Sequence, residues 1–431
     1  MKHAGGARLA AAAVMVAALG LAAAGCSSYS PPPARHHASP SVGAGTPVAG
    51  ADVPSGLLTP AQVRTAYGLG PLYSRGITGT GQTIVIVDPY GSPTIQADLQ
   101  QFDSEFGLPA PPSFRVIQPA GAVPAFRDTQ NMLESGLETS LDVEWAHVIA
   151  PAASIVLVET PVAEIEGTSG FPQIVRAEQY VIRRHLGGVV SMSLGATEET
   201  FPSKSALLGL RSAFQLAAEP AYRITMVAAS GDQGAGGYTM STKTIYPRRV
   251  VGWPASDPLV TAVGGTQLNL TATGTRRSPD VAWDDSGGGV SSVFAKPAYQ
   301  DRALTGHDRG IPDISMDASC RSATALYFSF YGGPRWAAGC GTSLATPMFA
   351  AIVALAGQMA GHPLGLINPA LYRMAAAHDP GIVGIVSGNN SISFGRVTVP
   401  GYRATPGYNL VTGLGTIDAR YFVPELAAAA R

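Results

Sequence analysis

Two short segments carry residues that could do chemistry. In GCGTSLATPMFAAIVAL (339–355) a single serine, Ser343, stands between a glycine-rich turn and a long apolar run. Gly339 and Gly341 allow a tight turn, and 344–359 reads as a buried helix with Pro347 in its first turn, where proline is tolerated. A hydroxyl there meets free backbone N–H groups and the positive end of the helix dipole, a setting that favours an oxyanion. Taken alone, G-T-S before a helix is equally well read as a capping serine. In ETSLDVEWAHVIAP (138–151), Glu138 and Asp142 lie four apart on a helix whose buried stripe is Leu137, Leu141 and Val148. Held against an interior, two such carboxyls share a proton and supply a general acid or base. On the surface, with Glu134 and Glu144 nearby, they would be a solvated acidic face.

A serine nucleophile asks for a base, and histidine is the first candidate. His3, His36 and His37 fall in the N-terminal leader and tether, while His147, His185, His307, His362 and His378 lack an H-G-T-like setting. His147 lies five residues past Asp142, on another helix face, and reads as a structural or surface histidine. Position 345 is alanine, so Ser343 is not in a G-x-S-x-G elbow.

The scaffold that must position these groups is legible as alternation. Apolar runs at 83–88 (TIVIVD), 153–160, 187–195, 223–234 and 259–266 are separated by helical patterns at 94–106, 172–185 and 204–218. Continuous apolar strands interleaved with helices predict an α/β domain built on a mostly parallel central sheet with helices on both faces. Functional residues of such sheets collect where strands end, which selects Asp88, Asp232 in SGDQG, and the region around Ser193.

The net charge is −1 and charged residues are 13% of the chain, against an ordinary figure of about 25%, with no basic run, so a nucleic-acid partner is excluded. The N-terminus has a short basic region, an apolar core and then small residues ending at Cys26, the pattern of an export signal over 1–25. Ala23-Ala24-Gly25-Cys26 resembles a lipobox with alanine at its first position, which implies a lipid on Cys26; the alternative is an ordinary secretory signal. Residues 26–55 are rich in Pro, Ser, Ala and Gly and form a flexible tether; 56–431 is one catalytic domain. With Cys26 assigned to lipid, Cys320 and Cys340 remain as a disulfide, or as two free thiols.

Together these residues resemble the sedolisins, or serine-carboxyl peptidases. The resemblance rests on E-x-x-L-D from Glu138 to Asp142, S-G-D-x-G around Asp232, and G-T-S-x-x-x-P around Ser343, supported by LTPAQVRTAYG, DPYGSPTIQADL, WPASDPLVTAVGGT, SGGGVSSVFAKPAYQ and PDISMDA. It implies a subtilisin-like fold in which Ser343 is the nucleophile, Glu138 the base and Asp142 its hydrogen-bonding partner. Asp232 would be a protonated donor to the oxyanion, and the activity would favour acid. Asp88 then reads as a structural strand-end residue. Ser191, Ser193, Leu194, Gly195, Ser230 and Gly231 are expected to wall a cleft for peptide or unfolded-protein substrates.

Two departures stand out. About thirty residues separate Cys26 from the folded start, leaving no room for the family's folded propeptide. The family's calcium region falls on Gly384, Ile385, Thr405, Gly407 and Asn409, where both carboxylates are missing. No calcium or other cofactor is therefore expected, since only neutral oxygens would remain. The leading expectation is a monomeric, exported, lipid-tethered or secreted endopeptidase. Its competitor is a surface protein that binds peptides in the same cleft and turns them over poorly or not at all.

Overall fold

The computed structural model describes residues 53–430; the export signal, Cys26 and the tether through residue 52 lie outside the described residues. Seven parallel strands form the centre: β1 (Thr83–Pro89), β2 (Phe114–Ile117), β3 (Ser154–Thr160), β4 (Val189–Met192), β5 (Thr225–Ala229), β6 (Thr261–Gln267) and, after the short β7 (Val281–Ala282), β8 (Ile314–Asp317). Their order is β8-β6-β5-β4-β1-β3-β2, with β7 antiparallel on β6.

Because successive strand residues point to opposite faces, β1 feeds two cores. Ile84 and Ile86 join one with helices α2 (Gln130–Ile149) and α6 (Thr342–Ala360); Val85 and Val87 join the other with α3 (Phe171–Arg183) and α5 (Ser212–Ala218). Both faces are covered, as the continuous apolar strands require. Helix α1 (Ile95–Phe106) packs on α2, and the C-terminal α7 (Ala419–Ala429) packs on α6.

Three local features differ from the sequence reading. The segment 204–218 is two helices, α4 (Lys204–Leu208) and α5, broken at Gly209. Helix α2 begins at Gln130, eight residues before Glu138, because the Thr129 hydroxyl accepts the Met132 N–H and caps it there. Helix α6 begins at Thr342, with Gly341 as its N-cap at φ 103°, so Pro347 sits inside the helix and not in its first turn. Lacking an N–H, that proline leaves the Ser343 carbonyl without its helical donor.

Before α6, β9 (Thr324–Phe328) and β10 (Arg335–Gly339) form an antiparallel hairpin. A disulfide between Cys320 and Cys340 closes the base of that hairpin, three residues ahead of Ser343.

Candidate active site

The ends of β1, β4 and β5 deliver Asp88, Ser193 and Asp232 to the N-terminus of α6, and α2 lies along α6 with Glu138 and Asp142 turned inward. Glu138 is 3% exposed and Asp142 0%, so the alternative of a solvated acidic face is wrong for this pair. The reason is packing: α2 is covered by the sheet, by α6 and by β9, and it has little free face at this level. The capping alternative for Ser343 also fails. Gly341 is the cap, no side chain caps the helix from that position, and Ser343 is the second helical residue.

The cap's work passes instead to Asp232. Its Oδ1 accepts the Thr342 N–H at 2.8 Å and the Thr342 hydroxyl at 2.7 Å. A Cβ on residue 341 would stand 2.7 Å from Asp232 Oδ2, so glycine is needed there for space as well as for its positive φ. With Oδ1 committed to two donors, a proton on Asp232 belongs on Oδ2, the oxygen free to donate. Ser343, in the first turn, has an amide with no acceptor inside the helix. One carboxyl and one backbone N–H thus flank the serine, an arrangement of two donors that suits a tetrahedral oxyanion.

Glu138 is held well above the usual carboxyl range by burial, opposed by the nearby Ser343 hydroxyl and reinforced by Asp88, Asp232 and Glu164. Neither of its oxygens completes a hydrogen bond of normal geometry. Asp142 is likewise raised well above its usual value by burial, then by Asp88 and Glu138. The Ser193 hydroxyl donates to Asp142 Oδ1 at 3.0 Å and also reaches the Ser343 carbonyl, at 3.3 Å, that Pro347 leaves free. Burial raises Asp232 too, against the two Thr342 donors. Among these carboxyls there is no lysine, arginine or histidine partner in the described hydrogen bonds or ion pairs, so neutralisation falls to protons.

Asp88 is more than a strand-end residue. It is buried on the same pleat of β1 as Ile84 and Ile86, which aims it at α2, and its charge acts on both Glu138 and Asp142. Burial pushes it up to about 7, with the Thr139 hydroxyl working against the shift. Glu164, on the loop after β3, carries no motif and was not anticipated; burial pushes it up to about 8.

The cleft beside Ser343 is lined by Ser193, Leu194, Gly195, Ser230, Gly231, Asp232, Glu164 and Trp253 among others. Ser191 is not part of it. It shares a face of β4 with Ser193 but lies one pleat deeper, paired in register with Ile86 and Val227, and is wholly buried. His147 is a buried structural residue, with Nε2 2.7 Å from the Pro109 carbonyl and 3.3 Å from Asp103. Gly384 and Gly407 line a separate surface groove on the far C-terminal loops; Ile385 and Asn409 are buried there, Thr405 is exposed, and the Asn409 amide donates to the Ile385 and Thr405 carbonyls.

Residues 138–375 match the model of the Peptidase_S8 or subtilase family, a span that begins at Glu138 and includes Ser343. Kumamolisin of Bacillus sp. (strain MN-32) is 32% identical over 374 residues, covering 83% of this chain and 61% of that protein. Sedolisin of Pseudomonas sp. (strain 101) is 28% identical over 359 residues, covering 80% of this chain and 58% of that protein. The chain thus spans about 60% of the length of these relatives. The fold superposes on Pseudomonas sedolisin, a serine-carboxyl proteinase solved with two molecules of pseudo-iodotyrostatin. The TM-score is 0.74 at 27% identity, covering 87% of this chain and 99% of that one. The matched span, more than half of the chain, makes this chain a member of the subtilase family, and the relatives and the solved fold that it is similar to are sedolisins.

Proposed function

We propose that this chain is an exported serine endopeptidase that cuts peptides or unfolded proteins in acid, held at the membrane by lipid on Cys26 or released, and working as a monomer. The observation that carries the reading is the position of Ser343 between a buried carboxyl, Glu138, and an acid whose free oxygen is available to donate, Asp232.

In the proposed reaction the Ser343 oxygen attacks the peptide carbonyl carbon while its proton passes to ionised Glu138. The carbonyl electron pair moves onto oxygen, where protonated Asp232 and the Ser343 amide receive it. Collapse of the tetrahedral species breaks the C–N bond, and Glu138 returns the proton to the leaving amine. Water then repeats the sequence on the acyl-enzyme, again with Glu138 as base, releasing the acid product and the serine. Asp142 acts through Glu138: proximity of the two carboxyls limits the pair to one negative charge. The cycle needs that single charge together with a proton on Asp232, so it fails when the cluster is fully protonated and again when Asp232 ionises.

The test is hydrolysis of a denatured protein across acidic pH by the wild type, Ser343→Ala and Glu138→Gln. Each variant is expected to lose about 10⁴-fold or more in kcat/KM while staying folded. Cleavage by the wild type no faster than by Ser343→Ala would mean that the cleft binds peptides without turning them over. Activity that peaks above neutrality and survives Glu138→Gln would instead assign a histidine-dependent mechanism.

A further inference from the structure

The sedolisin resemblance places a calcium ion among the loops holding residues 384–385 and 405–409, and the donors there do not fit one. Asn409 is 5% exposed, and its Oδ1 accepts three hydrogen bonds: from the Val411 N–H at 3.1 Å, the Thr412 N–H at 3.0 Å and the Thr412 hydroxyl at 3.1 Å. Three donors on one oxygen fix which way the amide faces. The Nδ2 group is left on the other side, where it donates to the Ile385 carbonyl at 3.4 Å and the Thr405 carbonyl at 3.3 Å. Those are two of the carbonyls assigned to the ion. A hard cation there would meet two N–H dipoles by their positive ends, and Gly384 brings no side chain to offset that.

We infer that Asn409 is an internal clasp that stands in for the ion, its amide hydrogens bridging the two loops that a metal would otherwise join. The inference does not depend on peptidase activity.

What the clasp supports is close to the chemistry. Two residues past Asn409, the Val411 carbonyl accepts the Ser286 hydroxyl at 2.8 Å, and that same Oγ accepts the Gly265 N–H at 2.9 Å. Gly288 lies so close to the Leu410 carbonyl that a Cβ would sit 2.2 Å from it. Next to Ser286, the Gly287 N–H donates to the Gly231 carbonyl at 2.7 Å, and the Ser230 hydroxyl donates to the Gly287 carbonyl at 2.7 Å. A continuous run of contacts thus leads from Asn409 to the wall that holds Asp232.

Thermal unfolding of the purified protein at one fixed scan rate tests this, with and without excess EDTA and with added calcium. The wild-type Tm is expected to change by less than about 1 °C in either condition. Asn409→Ala is expected to unfold about 4 °C lower and to gain nothing from calcium, having lost buried hydrogen bonds on both sides of the amide. The double variant Gly384→Asp/Asn409→Asp, which supplies both carboxylates and removes the N–H groups, is expected to gain several degrees from calcium. A wild-type Tm that falls in EDTA, stoichiometric calcium surviving dialysis, or Asn409→Ala melting with the wild type would overturn the inference. So would a folded double variant that ignores calcium; if that variant does not fold, the wild type and Asn409→Ala decide.

Discussion

Two regions of this molecule bury carboxyl groups, and they neutralise them in opposite ways. At the end of β8's approach, Asp313 is fully buried but answered on every side. Arg309 meets its two oxygens at 2.7 and 2.5 Å, the Tyr372 hydroxyl donates at 2.9 Å and the Ala262 N–H at 2.9 Å. Burial opposes the charge of Arg309, yet Asp313 and the phenols around it hold the guanidinium well above even its usual value. Around Ser343, by contrast, Glu138 has no completed hydrogen bond, Asp142 has one oxygen bare, and no arginine among the described residues pairs with either. The compensated carboxylate has its countercharge and its donors built into the fold. The uncompensated cluster must take up and release protons, and that freedom is what acid–base chemistry requires.

The contrast can be broken most sharply at Arg309. Arg309→Met leaves Asp313 buried and unpaired, and should lower stability by about 3–5 kcal/mol in denaturant unfolding. Glu138→Gln should leave stability unchanged or raise it, because a carboxyl with no partner is replaced by a neutral amide. Equal losses in the two variants would end the distinction. Next in size is Asp232→Asn, expected to cost about 10²–10³ in kcat at the optimum. Its high-pH limb should move upward, since an amide keeps its N–H at every pH; an unmoved limb would remove Asp232 from that role.

A smaller effect concerns stability and pH. Asp88 and Glu164 have unfolded values near ~4 but are pushed up to about 7 and about 8 in the fold. Between those limits the folded chain binds more protons than the unfolded one, so their contribution is complete below pH ~4 and is lost as pH rises toward ~8. The Tm should therefore be higher at pH ~4 than at pH ~7.5, by roughly 5 °C. Asp88→Asn should flatten part of that slope. The smallest effect is at Ser193: Ser193→Ala removes the donor on Asp142 and should reduce kcat/KM about tenfold with little change in Tm.

Some of this was open to reading in the chain itself. TIVIVD declared a strand because a parallel strand covered on both faces is apolar throughout, and Ile84 to Val87 are buried on alternating sides. The spacing of Glu138 and Asp142 placed them together because helix geometry does so locally. The start of α6 was harder: Pro347 suggested a later start, whereas the Thr342 N–H is capped by Asp232, which is 110 positions away. Ser191 and Ser193 have the same alternation, and only depth beneath α6 separates them. Glu164 had no neighbouring pattern to mark it. At Asn409 the missing carboxylate was visible, but the direction of its amide depends on donors from Val411 and Thr412.

The tie between Thr342 and Asp232 has a mechanical consequence. Asp232, the proposed oxyanion acid, is fastened to the residue immediately before Ser343, so its reach is set by the helix and not by the loop that carries it. Acid and nucleophile travel as one stiff part, and a molecule that shifts either would drag both. Glu138 stands on a different helix, where neither of its oxygens completes a hydrogen bond of normal geometry. Under the proposed mechanism the serine and its acid thus keep a spacing set by α6 alone, and the base is positioned independently of them, from α2.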